Sequence, residues 1–151
     1  MAFELYGQDA PYVASSNVTT ITWTGNPPTY ASGGLQQYTI VVPDTGTGNQ
    51  SDVKAAANAN VMPIGVTQDG PAIGSMQAVR VRVLGYSKVL AGGAITVGAQ
   101  LSANATGQAV VAAAAGATNT YLLGIAESAA AQAGDLVTVR LTPGATVQVN
   151  A

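Results

Sequence analysis

The chain contains no cysteine and no histidine. Without cysteine there is no disulfide framework and no thiolate to attack a substrate or hold a metal. Without histidine the commonest metal ligand and the side chain best suited to proton transfer near neutral pH are also missing. Charge is scarce as well. Asp, Glu, Lys and Arg make up 8% of the 151 residues, against about a quarter in ordinary globular chains. A net charge of −2 gives no basic surface for a nucleic acid. No apolar run approaches the roughly 20 residues of a membrane-spanning helix. The opening "MAFELYGQDAP" has neither the basic segment nor the apolar stretch of a signal peptide. The expectation is synthesis in a cytoplasm without export, and no membrane partner. The sequons at Asn17, Asn49 and Asn104 then carry no information, since glycosylation needs a secretory route.

These absences leave little room for catalysis. No G-x-S-x-G elbow surrounds a serine. The seven carboxylates, Glu4, Asp9, Asp44, Asp52, Asp69, Glu127 and Asp135, are scattered and sit mostly in turns. They form neither a glycosidase-like pair nor a D-x-D-x-D-G calcium loop. No glycine run is followed by the G-K-[ST] of a phosphate loop. No catalytic residue, metal ligand or cofactor site is therefore expected.

What the chain does have is small apolar side chains and many turns. Apolar residues make up 48% of it, chiefly Ala and Val, enough for a core. So few charges limit the solubility of a free monomer and suit a surface covered by partners. Residues 1–16 read as an extended N-terminal arm, aperiodic and broken by Gly7 and Pro11. Residues 17–61 read as strands, a loop and a short helix packed on the main domain. "NVTTITWT" alternates, with Thr19, Ile21 and Trp23 on one face, and "QYTIVVP" is a second strand. "GNPPTYASGG" is a loop and "DTGTGNQ" a flexible connector. "SDVKAAANAN" is the helix candidate, with Ser51 as cap, Asp52 at the positive end and alanines following.

Residues 62–151 read as a β domain. Short apolar runs are punctuated by "TQDGPAIG", "AGGA", "NATGQ", "AAGATNT" and "ESAAAQAGD", the rhythm of a small barrel or sandwich. An internal echo runs through it. "IGVTQDGPAIGSMQAVRV" from Ile64 is answered by "LGIAESAAAQAGDLVTVRL" from Leu123, which matches Gly65 with Gly124 and Arg80 with Arg140. In "MQAVRVRVLG" the period-two alternation puts Val79, Val81 and Val83 on one face and Arg80 and Arg82 on the other. Two readings of that arginine face stand side by side. It is the wet side of a half-buried strand, or it docks on an acidic partner.

The segment from Ile64 to Leu141 resembles the small capsid decoration, or cement, proteins of tailed bacteriophages. The resemblance is carried by "AGGAITVGAQLSANATGQAV" (91–110) and "GIAESAAAQAGDLVTVRL" (124–141), in that order and spacing. It implies a small β-rich fold on the exterior of a phage head, bound across joints between major capsid protein subunits, and assembly as a homotrimer. The implied product is a structural virion component that stabilises the head.

Three functions are weighed from the residues. A structural clamp gains by multivalency, since one subunit touching several neighbours holds joints that would open singly. Aromatic side chains are enriched at such interfaces, and six of the chain's eight lie before residue 40. Trp23 and Tyr38 are expected in the core. Phe3, Tyr6 and Tyr12 are expected to anchor on the capsid, and Arg80 or Arg82 to make an intersubunit ion pair. The alternative is a fibre or adhesin module recognising a host glycan, which would set exposed aromatics beside carboxylates. An enzyme would need unexpected geometry among the scattered acids.

Overall fold

In the computed structural model, which describes residues 8–14, 34–45, 52–69, 72–73, 78–113 and 120–147, the described chain is mainly β and contains no helix. Its strands in chain order are β1 (Gln8–Ala14), β2 (Gly34–Leu35), β3 (Ile40–Pro43), β4 (Asp52–Ala55), β5 (Gly65–Thr67), β6 (Ala72–Ile73) and β7 (Ala78–Leu90). They continue with β8 (Gln100–Ala103), β9 (Ala109–Val111), β10 (Thr120–Tyr121), β11 (Gly124–Ala126), β12 (Leu136–Leu141) and β13 (Thr146–Val147). Nine strands share one sheet, in the order β1-β4-β3-β5-β7-β12-β11-β8-β9, and β2–β6 and β10–β13 form two small pairs.

The long strand β7 is the spine. Val79, Val81 and Val89 are buried and Val83 is half-buried, while Arg80, Leu84, Tyr86 and Lys88 are exposed on the opposite face. The alternation expected of Val79 to Val83 thus holds and continues past them. The first half of β7 pairs with β1 from Gln8↔Leu84 to Val13↔Ala78 and with β5 at Val66↔Arg82. The second half pairs with β12, from Leu141↔Gly85 to Leu136↔Leu90. Gly85 stands where the partners change and has φ +85°, a conformation that costs glycine little.

The sheet curls until both ends meet β7. β1 also pairs in parallel with β4, so β1, β4, β3, β5 and β7 close a circuit of pairings. At the other end Ala109 of β9 bridges Ala91, just after β7, and the Gly92 N–H donates to the Ala109 carbonyl at 2.7 Å. Two apolar clusters fill the curl. The larger gathers Ile40, Val42, Val66, Val89, Leu101, Leu123, Val137, Val139 and Leu141. The smaller holds Leu35, Val41, Val53, Val79 and Val81. β3 therefore serves both, with successive side chains pointing to opposite clusters. Each buried Val or Leu contributes about 1.5–3 kcal/mol relative to exposure, so many small side chains stand in for a few large ones.

The helix expected over "SDVKAAANAN" is not formed. Residues 52–55 are strand β4, paired antiparallel with β3 at Val41↔Ala55 and Pro43↔Val53. The alanines favour a helix, but a ten-residue helix is marginal alone. Pairing with β3 buries Val53 completely and satisfies the backbone, so tertiary context overrides propensity. Asn58 then turns the chain, accepting a hydrogen bond from the Asn60 N–H at 2.9 Å. Residues 8–14 of the expected arm are extended and lie in the sheet as β1. The rest of the arm, the "NVTTITWT" strand and the proline loop as far as residue 33 lie outside the described residues. So does "DTGTGNQ" beyond Thr45.

The internal echo is present with a different register. Val66 pairs with Arg82 and Ile125 with Arg140. A Cβ on Gly65 would run into the Arg82 carbonyl, and one on Gly124 into the Arg140 carbonyl. One step on, Gln68 N–H donates to Arg80 O and Glu127 N–H to Thr138 O, both at 2.8 Å. Arg140 thus occupies the station of Arg82, and Thr138 that of Arg80. The V-R-V-R-V run offers two registers two residues apart, and both keep valine inside and arginine outside, so the alternation alone does not choose between them.

Equivalent glycines in equivalent contacts should fail alike. Gly65→Ala and Gly124→Ala are each expected to cost at least about 2 kcal/mol, because the added methyl meets backbone that cannot move aside. Gly93→Ala, with open space around the position, should stay within about 0.5 kcal/mol of the parent. Urea unfolding of the three variants measures this.

Candidate interaction surface

The outer face of β7 carries most of the chemistry that the described residues offer. Arg80 lies flat against Asp69. Its Nε and Nη2 donate to Oδ1 at 3.0 and 2.7 Å, and the Arg80 backbone N–H donates to Oδ2 at 2.9 Å. Asp69 is placed by the connection leaving β5, where aspartate suits the turn. The Arg80 side-chain hydrogen bonds hold its carboxyl below the ordinary 3.8, against a smaller opposing effect of burial. The fork that could have reached a partner is therefore already engaged within the chain.

Arg82 is placed differently. Its Nη1 donates to the Tyr86 carbonyl at 3.2 Å, spanning the bend at Gly85. Across the sheet it is in register with Asp9 of β1. Lys88, two steps beyond Tyr86, donates to Thr138 Oγ1 of β12 at 2.8 Å. Gln68 Nε2 donates to Ser87 Oγ and to the Val66 carbonyl, both at 2.9 Å. Together with Tyr38 these residues line a shallow cavity of about 180 Å³.

Tyr38 has a backbone conformation unusual for a large side chain, with φ +64°. Its surroundings impose it. The Tyr38 N–H donates to the Thr67 carbonyl at 2.8 Å and its own carbonyl accepts from Leu90 N–H at 3.0 Å. The next N–H, of Thr39, donates to the buried Thr67 Oγ1 at 2.9 Å. Such positions cost about 1–3 kcal/mol and persist where the surroundings over-determine them. The ring packs against the larger core cluster, as expected for Tyr38, and also walls the cavity.

Elsewhere, Lys54 donates to buried Asp44 at 3.1 Å beside an apolar hollow of about 310 Å³ walled by Val42, Pro43 and Val61. Arg140 Nε lies 3.3 Å from Glu127 Oε1. Asp135 Oδ2 accepts from the N–H groups of Ala131 and Gln132, closing the "ESAAAQAGD" turn. Among the described residues no cluster of His, Cys, Asp or Glu could hold a metal, and no helix is long and apolar enough to cross a membrane.

Of the residues singled out from sequence, Arg80 and Arg82 share the outer face of β7. Tyr12 lies in β1 opposite Val79, and Phe3 and Tyr6 lie outside the described residues. Tyr86 and Lys88 were missed although they continue the spacing of Arg80 and Arg82 beyond Gly85. Tyr38 reaches the same cavity from a distant turn, which no local pattern announces.

The described residues thus form a small, charge-poor β module. The profile of the phage cement protein family matches residues 28–141, well over half of the chain, and the protein belongs to that family. Among solved structures it is similar to the head fiber gp8.5 N base of bacteriophage phi29. That similarity has a TM-score of 0.62 at 22% identity, over 89% of this chain and 95% of the other. A search of curated proteins found no match.

Arg80→Gln should lower stability at pH 7 by about 0–1 kcal/mol, the range for exposed pairs. Because the folded-state pKa of Asp69 is depressed, its contribution is complete above 3.8 and disappears as pH falls through the folded value. Parent and variant should therefore differ in urea midpoint at pH 7, and the difference should shrink as the pH is taken below 3.8.

Proposed function

We propose that the protein is a capsid decoration protein that binds the exterior of a phage head and clamps joints between major capsid protein subunits. The family match over most of the described β domain carries this reading. The physics fits a clamp. A curled sheet whose ends return to β7 is a stiff module, and stiffness limits the ordering cost of binding. Contacts to several subunits at once convert weak individual interfaces into firm attachment. Nothing in that role needs catalysis, a cofactor or a metal. Host cytoplasm is the proposed place of synthesis and a homotrimer the proposed assembly.

Phe3, Tyr6 and Tyr12 are the proposed anchors of the N-terminal segment. At least one of Arg80 and Arg82 is proposed to make an intersubunit ion pair; for Arg80 that contact would compete with Asp69. A glycan-recognising fibre or adhesin module would present aromatic rings beside carboxylates. The β7 face presents Tyr38 and Tyr86 beside Arg82 and Lys88 instead, which favours the clamp.

Purified protein added to cognate heads that lack it should appear as density outside the shell, over joints between capsid subunits, in cryo-electron micrographs. Decorated heads should rupture at a higher temperature than bare ones. Undecorated shells at saturating protein, or an unchanged rupture temperature, would count against the clamp.

Removal of residues 2–14 should do more than weaken capsid binding. It takes away β1 and with it one partner of β7 residues 78–84 and of β4. The truncated chain is expected to melt at a clearly lower temperature than the parent, as scanning calorimetry would record.

A further inference from the structure

Five basic side chains serve the whole chain. Lys54 pairs with Asp44, Arg80 with Asp69 and Arg140 with Glu127. Arg82 reaches the Tyr86 carbonyl and is in register with Asp9. Lys88 differs. It is exposed, and among the described residues it meets the neutral hydroxyl of Thr138 and no carboxylate. In a protein of net charge −2, so few cations make an ammonium without an acidic partner a conspicuous feature.

The surroundings of Lys88 are those of a receptor. It shares the cavity of about 180 Å³ with the rings of Tyr38 and Tyr86 and the polar side chains of Gln68, Ser87 and Arg82. Among the described residues no acidic side chain lines it. One wall is Tyr38, held at φ +64°, where glycine would be at ease. A strained residue kept in place by Thr67 and Leu90 at the mouth of a cavity is the pattern of a site in which local stability is given up for a contact.

Resting on the capsid-binding reading above, we infer that this cavity is a docking pocket for an acidic segment of the capsid protein, with Lys88 receiving the carboxylate and Tyr38 and Tyr86 packing against its stem. A second copy of this chain is the poorer source. Of the carboxylates whose side chains are described, Asp44, Asp69 and Glu127 are ion-paired, Asp135 is held by backbone N–H groups and Asp52 is buried. These carboxylates leave the complementary charge to be sought on another protein. A charge-assisted contact to an ammonium is stronger than a hydrogen bond between neutral groups.

Cosedimentation of purified protein with undecorated cognate heads, titrated over a series of salt concentrations, tests this. Lys88→Gln should bind about tenfold more weakly than the parent, the loss expected for one charged hydrogen bond, and with a flatter salt dependence. Lys88→Glu should bind more weakly still. Tyr86→Ala, which removes an exposed ring from the cavity wall, should also lose affinity while melting close to the parent. If the parent binds and all three variants match its affinity and salt dependence, the pocket is wrong and the clamp stands. If the parent itself does not bind, the capsid-binding reading falls and the pocket with it. If Lys88→Glu shifts self-association in sedimentation velocity while head affinity is unchanged, the carboxylate belongs to a second copy and the inference is overturned.

Discussion

Everything in this molecule hangs on the unbroken alternation of β7. Because Val79, Val81 and Val89 all point inward, one strand lines both apolar clusters and offers its edges to β1, β5 and β12 in turn. A one-residue slip anywhere along it would turn the valines out and the charges in. The change of partners at Gly85 is absorbed by a single backbone angle, so the alternation passes through the bend intact.

The same strand organises the charge. Its outer face holds Arg80, Arg82 and Lys88, most of the basic residues in the chain. The three are not equivalent. Arg80 is tied to the connection that follows β5, Arg82 bridges the bend, and Lys88 faces the cavity beside two tyrosines. Spacing sets them on one face, and the neighbouring strands decide what each one can touch.

Much of this was readable in advance. The inward valines follow from period two, and the turns at "NATGQ" and "ESAAAQAGD" follow from Asn104 and Asp135, whose side chains cap their own backbone. The failures have physical causes. β4 leads into helix-forming alanines, yet β3 supplies an edge that no local signal reveals. The echo was visible through Gly65 and Gly124, but a doubled V-R step hid its register. Lys88 and Tyr86 lay beyond the glycine at which the alternating run seemed to stop. Tyr38 reaches them only because Thr67 and Leu90 hold its turn against that part of β7.

The return of both sheet ends to β7 also bears on crowding. A strand with an open edge is a template, and many identical templates held close together on one surface invite fibre growth. β1 sits between β4 and β7, and β9 is bridged back to Ala91. The large sheet thus offers neighbouring copies little backbone to extend. Edges closed in this way suit a sheet to being packed at high local density, since it gives strand-by-strand growth little to start from.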